Sequence, residues 1–168
     1  MQKLAPNLDG IEAVFLDLDG TIYMGDNLIE GAVDFLNRIE QKGIRRFFLS
    51  NNSSKSVKQY LSKLENLGVP AKEEDILLST HDLIAWLSSN NISETYLVGT
   101  VGMKEMLESA GVNTSSNNPQ YVVLGYDTEI SYQKLTEASI NLHKGVPLVV
   151  SHPDMVCPSP NGGLPDTG

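Results

Sequence analysis

The amino-acid sequence predicts an α/β fold built on parallel sheet, and three observations carry that expectation. Short apolar runs alternate with stretches whose apolar residues recur at helical spacing. The first run, Val14-Phe15-Leu16, and the next, Phe47-Phe48-Leu49, both end abruptly in polar residues. Strand, helix, strand, helix in succession implies parallel strands joined by right-handed crossovers. Open sheets of this kind bind ligands beyond the carboxyl ends of their strands, so chemistry is expected where the apolar runs stop.

The first run continues as Asp17-Leu18-Asp19-Gly20-Thr21. Strand side chains alternate with a period of two, which points Asp17 and Asp19 to one side and Leu18 into packing. Two carboxylates at one strand tip repel, and one would keep its proton unless a cation such as Mg²⁺, which prefers oxygen ligands, let both stay charged. Gly20 permits the turn that follows. Asp-Gly alone is a common turn former, and its place directly after an apolar strand is what gives the chemical reading its weight.

Short apolar pairs flank Gly25-Asp26-Asn27, the pattern of a small hairpin lying over the Asp17 tip. Ala32, Phe35, Leu36 and Ile39 then mark a helix over 31–42, stopped by Gly43. A second strand, residues 44–49, ends in Ser50-Asn51-Asn52-Ser53-Ser54 and leads into a helix marked by Val57, Tyr60, Leu61, Leu64 and Leu67, which Gly68 terminates. Polar residues at a strand end before a helix are usually N-caps, and hydroxyl and amide donors there, as at Ser50 and Asn51, also suit phosphate oxygens. Lys55, in the turn that follows, reads as a solvent-facing lysine.

Residues 75–79 form a third strand, followed by a helix carrying Leu83, Ile84, Trp86 and Leu87 that ends at Asn90-Asn91. A second α/β series follows. Its strands are 96–98, 121–124 and 146–150, its helices 102–110 and 132–144, and a Pro/Gly-rich tail closes it. The change of series divides the chain into residues 1–79 and 80–168. Gly99-Thr100-Val101-Gly102 lacks the full Gly-x-Gly-x-x-Gly pattern and reads as an ordinary strand-to-helix turn.

Composition narrows the function. Twelve basic against 21 acidic residues among 168 give a formal charge of −9, which argues against nucleic acid or an anionic membrane as the main partner. The single Cys157 forms no internal disulfide, which suits a cytoplasmic protein. The start, residues 1–7, has no apolar core of the signal-peptide kind, and no later stretch is long enough to span a bilayer.

Asp17-Leu18-Asp19-Gly20-Thr21 resembles the first motif of the haloacid dehalogenase superfamily, most of whose members are Mg²⁺-dependent phosphohydrolases. The resemblance implies a Rossmann-like core, with Asp17 as nucleophile and Asp19 as general acid and base, both also serving the metal. It gives Ser50 the phosphate-binding role of the second motif, with Asn51 beside it, and makes the 22–29 hairpin a flap over the phosphoryl site. The order of elements further resembles the NagD-like, or 4-nitrophenylphosphatase-like, branch, in which an α/β cap is inserted after the third core strand. Ser50-Asn51-Asn52-Ser53-Ser54-Lys55-Ser56, Val123-Leu124-Gly125-Tyr126-Asp127 with Ser131-Tyr132-Gln133-Lys134-Leu135, and Ser151-His152-Pro153-Asp154 stand where that branch has similar strings. His152 replaces the Asn common there, and on its own reads as a surface loop residue. His152, Asp154 and Cys157 match no standard zinc spacing.

The expected enzyme is a phosphatase acting on a small phosphorylated metabolite through an aspartyl-phosphate. The third and fourth motifs of the family, a Lys and further acidic residues, do not follow within the 168 residues, so the chain reads as the N-terminal portion of such an enzyme and nearly inactive alone. Two alternatives stay open: a non-catalytic phosphate-binding or interaction fragment, and a phosphotransferase using the same Asp chemistry. An uncovered sheet edge and apolar face would favour aggregation or pairing with another chain, so homo-oligomers belong among the expected partners.

Overall fold

The computed structural model describes residues 9–168, so the reading of residues 1–7 lies outside the described residues. Strand β1 (Ala13–Asp17) leads to a two-residue-turn hairpin, β2 (Tyr23–Met24) and β3 (Asn27–Leu28). Asn27 belongs to β3, so the turn is Gly25-Asp26 and shorter than the three polar residues suggest. Helix α1 (Ala32–Gln41), β4 (Arg45–Ser50), α2 (Val57–Asn66), a single 3₁₀ turn (Glu73–Asp75) and β5 (Ile76–Leu78) complete the first unit.

The first sheet runs β1-β4-β5, all parallel. Its register separates the two faces row by row. Leu16, Phe48 and Ile76 stand side by side and pack under α1 and α2, where Leu36, Ile39, Tyr60 and Leu64 meet them. Fully buried side chains such as Phe48 and Ile76 contribute about 1.5–3 kcal/mol each, and the partly buried Leu16 less. The next row, Asp17, Leu49 and Leu77, points to the opposite face with Phe15, whose ring stacks on Phe47 at 5.1 Å. That face is open: Phe15 is 59% exposed, Leu49 39% and Leu77 37%.

Helix α3 (Ser79–Ser89), β6 (Thr95–Val98), α4 (Val101–Ser109), β7 (Tyr121–Leu124), α5 (Tyr132–His143) and β8 (Leu148–Val150) build a second parallel sheet in the order β6-β7-β8. Leu83, Leu87, Met103 and Leu107 pack with Leu97 and Val123 on one side of it. Ala138 of α5 meets Val98 and Val122 on the other. Among the described residues no helix is long and apolar enough to cross a membrane.

The Pro/Gly-rich tail is the main departure from expectation. It forms a hairpin, β9 (Val156–Ser159) with β10 (Gly162–Pro165), closed by Pro160-Asn161. Period-two alternation is lost where Pro and Gly occupy strand positions, so the segment carries no strand signal although the turn chemistry is present.

Two measurements follow. The open row predicts that the 168-residue chain self-associates, and that Phe15→Ser together with Leu77→Ser shifts its light-scattering mass toward the monomer. Thr80 Oγ1 is buried and has no hydrogen-bond partner among the described residues. Thr80→Val removes that unpaired hydroxyl at constant shape and is expected to raise stability by about 1 kcal/mol in chemical denaturation.

Candidate active site

The two aspartates sit where β1 breaks into a tight turn. Thr21, Ile22 and Tyr23 all direct their backbone N–H groups at the Leu18 carbonyl, at 3.3, 3.0 and 3.3 Å, and Gly20 N–H bonds the Tyr23 carbonyl at 2.7 Å. Leu18 is fully buried and anchors the turn, while Asp17 is exposed and Asp19 half-buried. Thr21 Oγ1 lies 3.4 Å from Asp17 Oδ2, and the Tyr23 hydroxyl 3.5 Å from Asp19 Oδ2. Burial raises the Asp19 carboxyl above the ordinary carboxylate range; Lys63 and Lys55 pull it down, and Asp17 adds to the rise.

Lys55 is therefore not the solvent-facing residue its position suggests. It is half-buried, with Nζ 5.9 Å from the Tyr60 ring centre, and its charge reaches Asp19. The Ser56 side chain, in a reciprocal capping box with Gln59, starts α2 right after Lys55. The lysine is thereby kept on the loop, beside the strand tips.

Ser50 is 5% exposed and its hydrogen bonds are settled by elimination. Tyr60 Oη lies 3.1 Å from the Asn52 carbonyl, which only accepts, so the single phenol proton goes there. The 3.0 Å contact between Ser50 Oγ and Tyr60 Oη is then donated by Ser50. Ser50 Oγ in turn accepts the Asn52 N–H at 3.2 Å. The predicted phosphate ligand thus spends its proton inward. Asn51 is exposed, and its amide donates to the Asp154 carboxylate.

The back half of the same loop is buried against the second unit. Ser53 is fully buried; its Oγ accepts the Tyr126 N–H at 2.9 Å and meets Ser151 Oγ at 2.9 Å. Thr100, which caps α4, also donates its hydroxyl to the Ser54 carbonyl at 2.8 Å. Two glycines make room for this approach. A Cβ on Gly102 would stand 2.8 Å from Ser56 N and collide with Gln59 Oε1; one on Gly125 would stand 2.9 Å from Ser53 Oγ and collide with Met103 Sδ. Gly102 is thus required for close packing, a role that the turn reading of Gly99–Gly102 leaves unstated.

His152 is likewise no surface residue. It is 7% exposed, with Nδ1 2.8 Å from Ser151 Oγ and Nε2 2.9 Å from Asp166 Oδ1. The carboxylate only accepts, so Nε2 carries a proton, and in the neutral imidazole Nδ1 accepts from Ser151, which then accepts from Ser53. The neighbouring Cys157, on β9, receives the Asn52 amide at 3.8 Å, and burial pushes its thiol up. Lys134, in the second matching string, donates to the Gly99 carbonyl at 2.8 Å and pairs with buried Asp127 at 2.9 Å, tying the ends of β6 and β7 together.

A cleft of about 630 Å³ lies beside this site, between the Asp26 turn, Gln59 and Lys63 of α2, and Glu105 of α4. Neither Asp17 nor Asp19 lines it; Lys63, whose charge acts on Asp19, does. The sequence reading names the aspartates, Ser50 and Asn51 as candidates; the contacts around them add Tyr23, Tyr60, Lys63 and Asp154, which it does not name as candidates. Helical spacing had marked Tyr60 only as core, and Lys63 stands on the polar side of the same pattern.

Residues 14–113 match the family model for haloacid dehalogenase-like hydrolases, and the chain belongs to that family. The chain is 34% identical over 161 residues to the acid sugar phosphatase of Staphylococcus aureus (strain MRSA252), covering 94% of this chain and 61% of that protein. Among solved structures, a 4-nitrophenylphosphatase from Thermotoga maritima is 37% identical, with a TM-score of 0.88 over 96% of this chain and 62% of that one. A glycerol phosphate phosphatase from Mycobacterium tuberculosis, solved in complex with magnesium, is 27% identical, with a TM-score of 0.84 over 94% and 49%. Within the family, these likenesses place the chain in the NagD-like, 4-nitrophenylphosphatase-like branch. The chain spans about three fifths of the length of the curated relatives it matches.

The inward bonds make a prediction. Tyr60→Phe leaves the Ser50 hydroxyl and the Asn52 carbonyl without their buried partner and is expected to cost about 1–3 kcal/mol of stability in chemical denaturation.

Proposed function

We propose that the chain supplies the nucleophile, the acid/base group and the phosphate-facing loop of a Mg²⁺-dependent phosphomonoesterase, with residues 1–79 as part of its core and 80–168 as its cap. The observation that carries this reading is the pairing of an exposed carboxylate, Asp17, with a half-buried one, Asp19, whose proton burial favours. Asp17 attacks phosphorus and displaces the alcohol, and Asp19 gives its proton to the departing oxygen. Asp19 then takes a proton from water as the water attacks the aspartyl-phosphate, which releases inorganic phosphate and restores Asp17.

The donor set suits a hard dication. A carboxylate completed by water and phosphate oxygens is a common Mg²⁺ environment; Asp17 would hold the ion, joined by Asp19 in the part of the cycle in which Asp19 has given up its proton. Bound there, Mg²⁺ would offset the negative charge of the carboxylates and phosphate. Asn51 would meet a phosphate oxygen after exchanging its Asp154 bond, and Ser50 after releasing Tyr60. The relatives named for sugar phosphates, glycerol phosphate and 4-nitrophenyl phosphate support a small phosphate monoester as substrate.

One observation favours the non-catalytic alternative for the 168 residues alone. Among the described residues no group of three or more His, Cys, Asp or Glu could hold a metal ion. Turnover is accordingly assigned to a protein of the relatives' full length. The test is the complete reading frame assayed with 4-nitrophenyl phosphate and Mg²⁺. Asp17→Asn is expected to lower kcat at least about 10³-fold, and chelation to abolish turnover reversibly. Activity that survives either treatment overturns the reading.

A further inference from the structure

We infer that Lys63 and Tyr23 are positioning residues for Asp19: the lysine ammonium and the tyrosine ring form a stack whose hydroxyl end fixes the Asp19 carboxyl. The inference rests on the reading of Asp19 as the acid/base group. Tyr23 is fully buried, its hydroxyl lies 3.5 Å from Asp19 Oδ2, and Lys63 Nζ stands 3.8 Å from the centre of its ring. No ion pair among the described residues includes Lys63. Its close charged-group contact is therefore the ring face, where a desolvated ammonium is attracted to the π-electrons and polarises the phenol toward donation.

The stack also joins two elements. Lys63 comes from α2 and Tyr23 from the hairpin after β1, so the lysine presses the hairpin onto the helix that follows the second strand tip. A half-buried carboxyl with one weak donor is free to turn unless that donor is itself held. The Tyr23 ring is held in the first core, and Lys63 closes over its face. Burial lowers the Lys63 ammonium below the usual lysine range while Asp19 raises it, which places its charge in the field of that carboxyl. Burial together with Asp19 pushes the Tyr23 phenol far up, so it stays a donor at every working pH.

Lys63 also lines the 630 Å³ cleft, so direct contact with the leaving group is the competing role. Kinetics of the full-length enzyme separate the two. Lys63→Met is expected to lower kcat about tenfold with KM within twofold, Lys63→Arg to restore most of the rate because the cation over the ring is kept, and Tyr23→Phe to match Lys63→Met. The double variant Tyr23→Phe/Lys63→Met is expected to be no worse than either single one. Tyr23→Phe keeps the ring and hence the fold, and Glu65→Gln, exposed on the same helix and outside the cleft, is the control expected to leave both parameters unchanged.

A rise in KM at constant kcat, an Arg variant as poor as Met, or multiplicative losses in the double variant overturns the inference. Asp17→Asn is run alongside. If it is inactive while the Lys63 and Tyr23 variants behave as wild type, the positioning role alone fails; if it remains active, the phosphatase reading fails with it.

Discussion

A loop of five buried polar side chains must satisfy all its hydrogen bonds without water, and the rest of the structure is arranged to meet that demand. Ser50, Asn52, Ser53, Ser54 and Ser56 are each under 9% exposed. Each finds partners: Tyr60, Cys157, the Tyr126 amide, Ser151 and Gln59 among them. A buried hydroxyl or amide left unpaired costs a few kcal/mol, so the second sheet, the β9–β10 hairpin and α2 are all held at fixed distances from this one segment. The position of Ser50 follows from its bonds to Tyr60 and the Asn52 amide.

What sequence reasoning recovered and what it missed divide along the range of the interactions. Strand, helix and loop order depend on local periodicity, and those elements stand within a residue or two of their expected bounds. The placement of Asp17 and Asp19 at the end of β1 and in the turn after it was legible because the apolar strand and the glycine turn are local. Lys55, His152 and Lys63 were not. Each looks like a surface residue until a partner from a distant part of the chain is placed against it: Tyr60 and the Asp19 charge for Lys55, Asp166 for His152, the Tyr23 ring for Lys63. The β9–β10 hairpin was hidden because Pro158, Gly162 and Gly163 occupy ladder positions.

The two strand tips share one construction. In each, a buried tyrosine has its hydroxyl at a candidate functional side chain and a lysine over its ring: Tyr23 with Asp19 and Lys63, Tyr60 with Ser50 and Lys55. The lysines bring positive charge close to the carboxylates without forming ion pairs with them. An ammonium resting on a ring stays uncommitted, which leaves the carboxylates accessible to a metal and the field favourable to an anion.

The close approach at Gly102 and Gly125 bears on how such proteins can be recombined. Because the serine loop of the first unit is seated between the ends of β6, β7 and β8, the segment that travels with the second sheet begins inside the first one. A chimera cut at the break between the two sheets, near residue 79, would pair a loop from one parent with a socket from the other. Exchange between relatives would succeed only if residues 50–56 move together with Thr100, Gly102, Gly125 and Ser151, so the heritable module here is a contact surface and not a run of sequence.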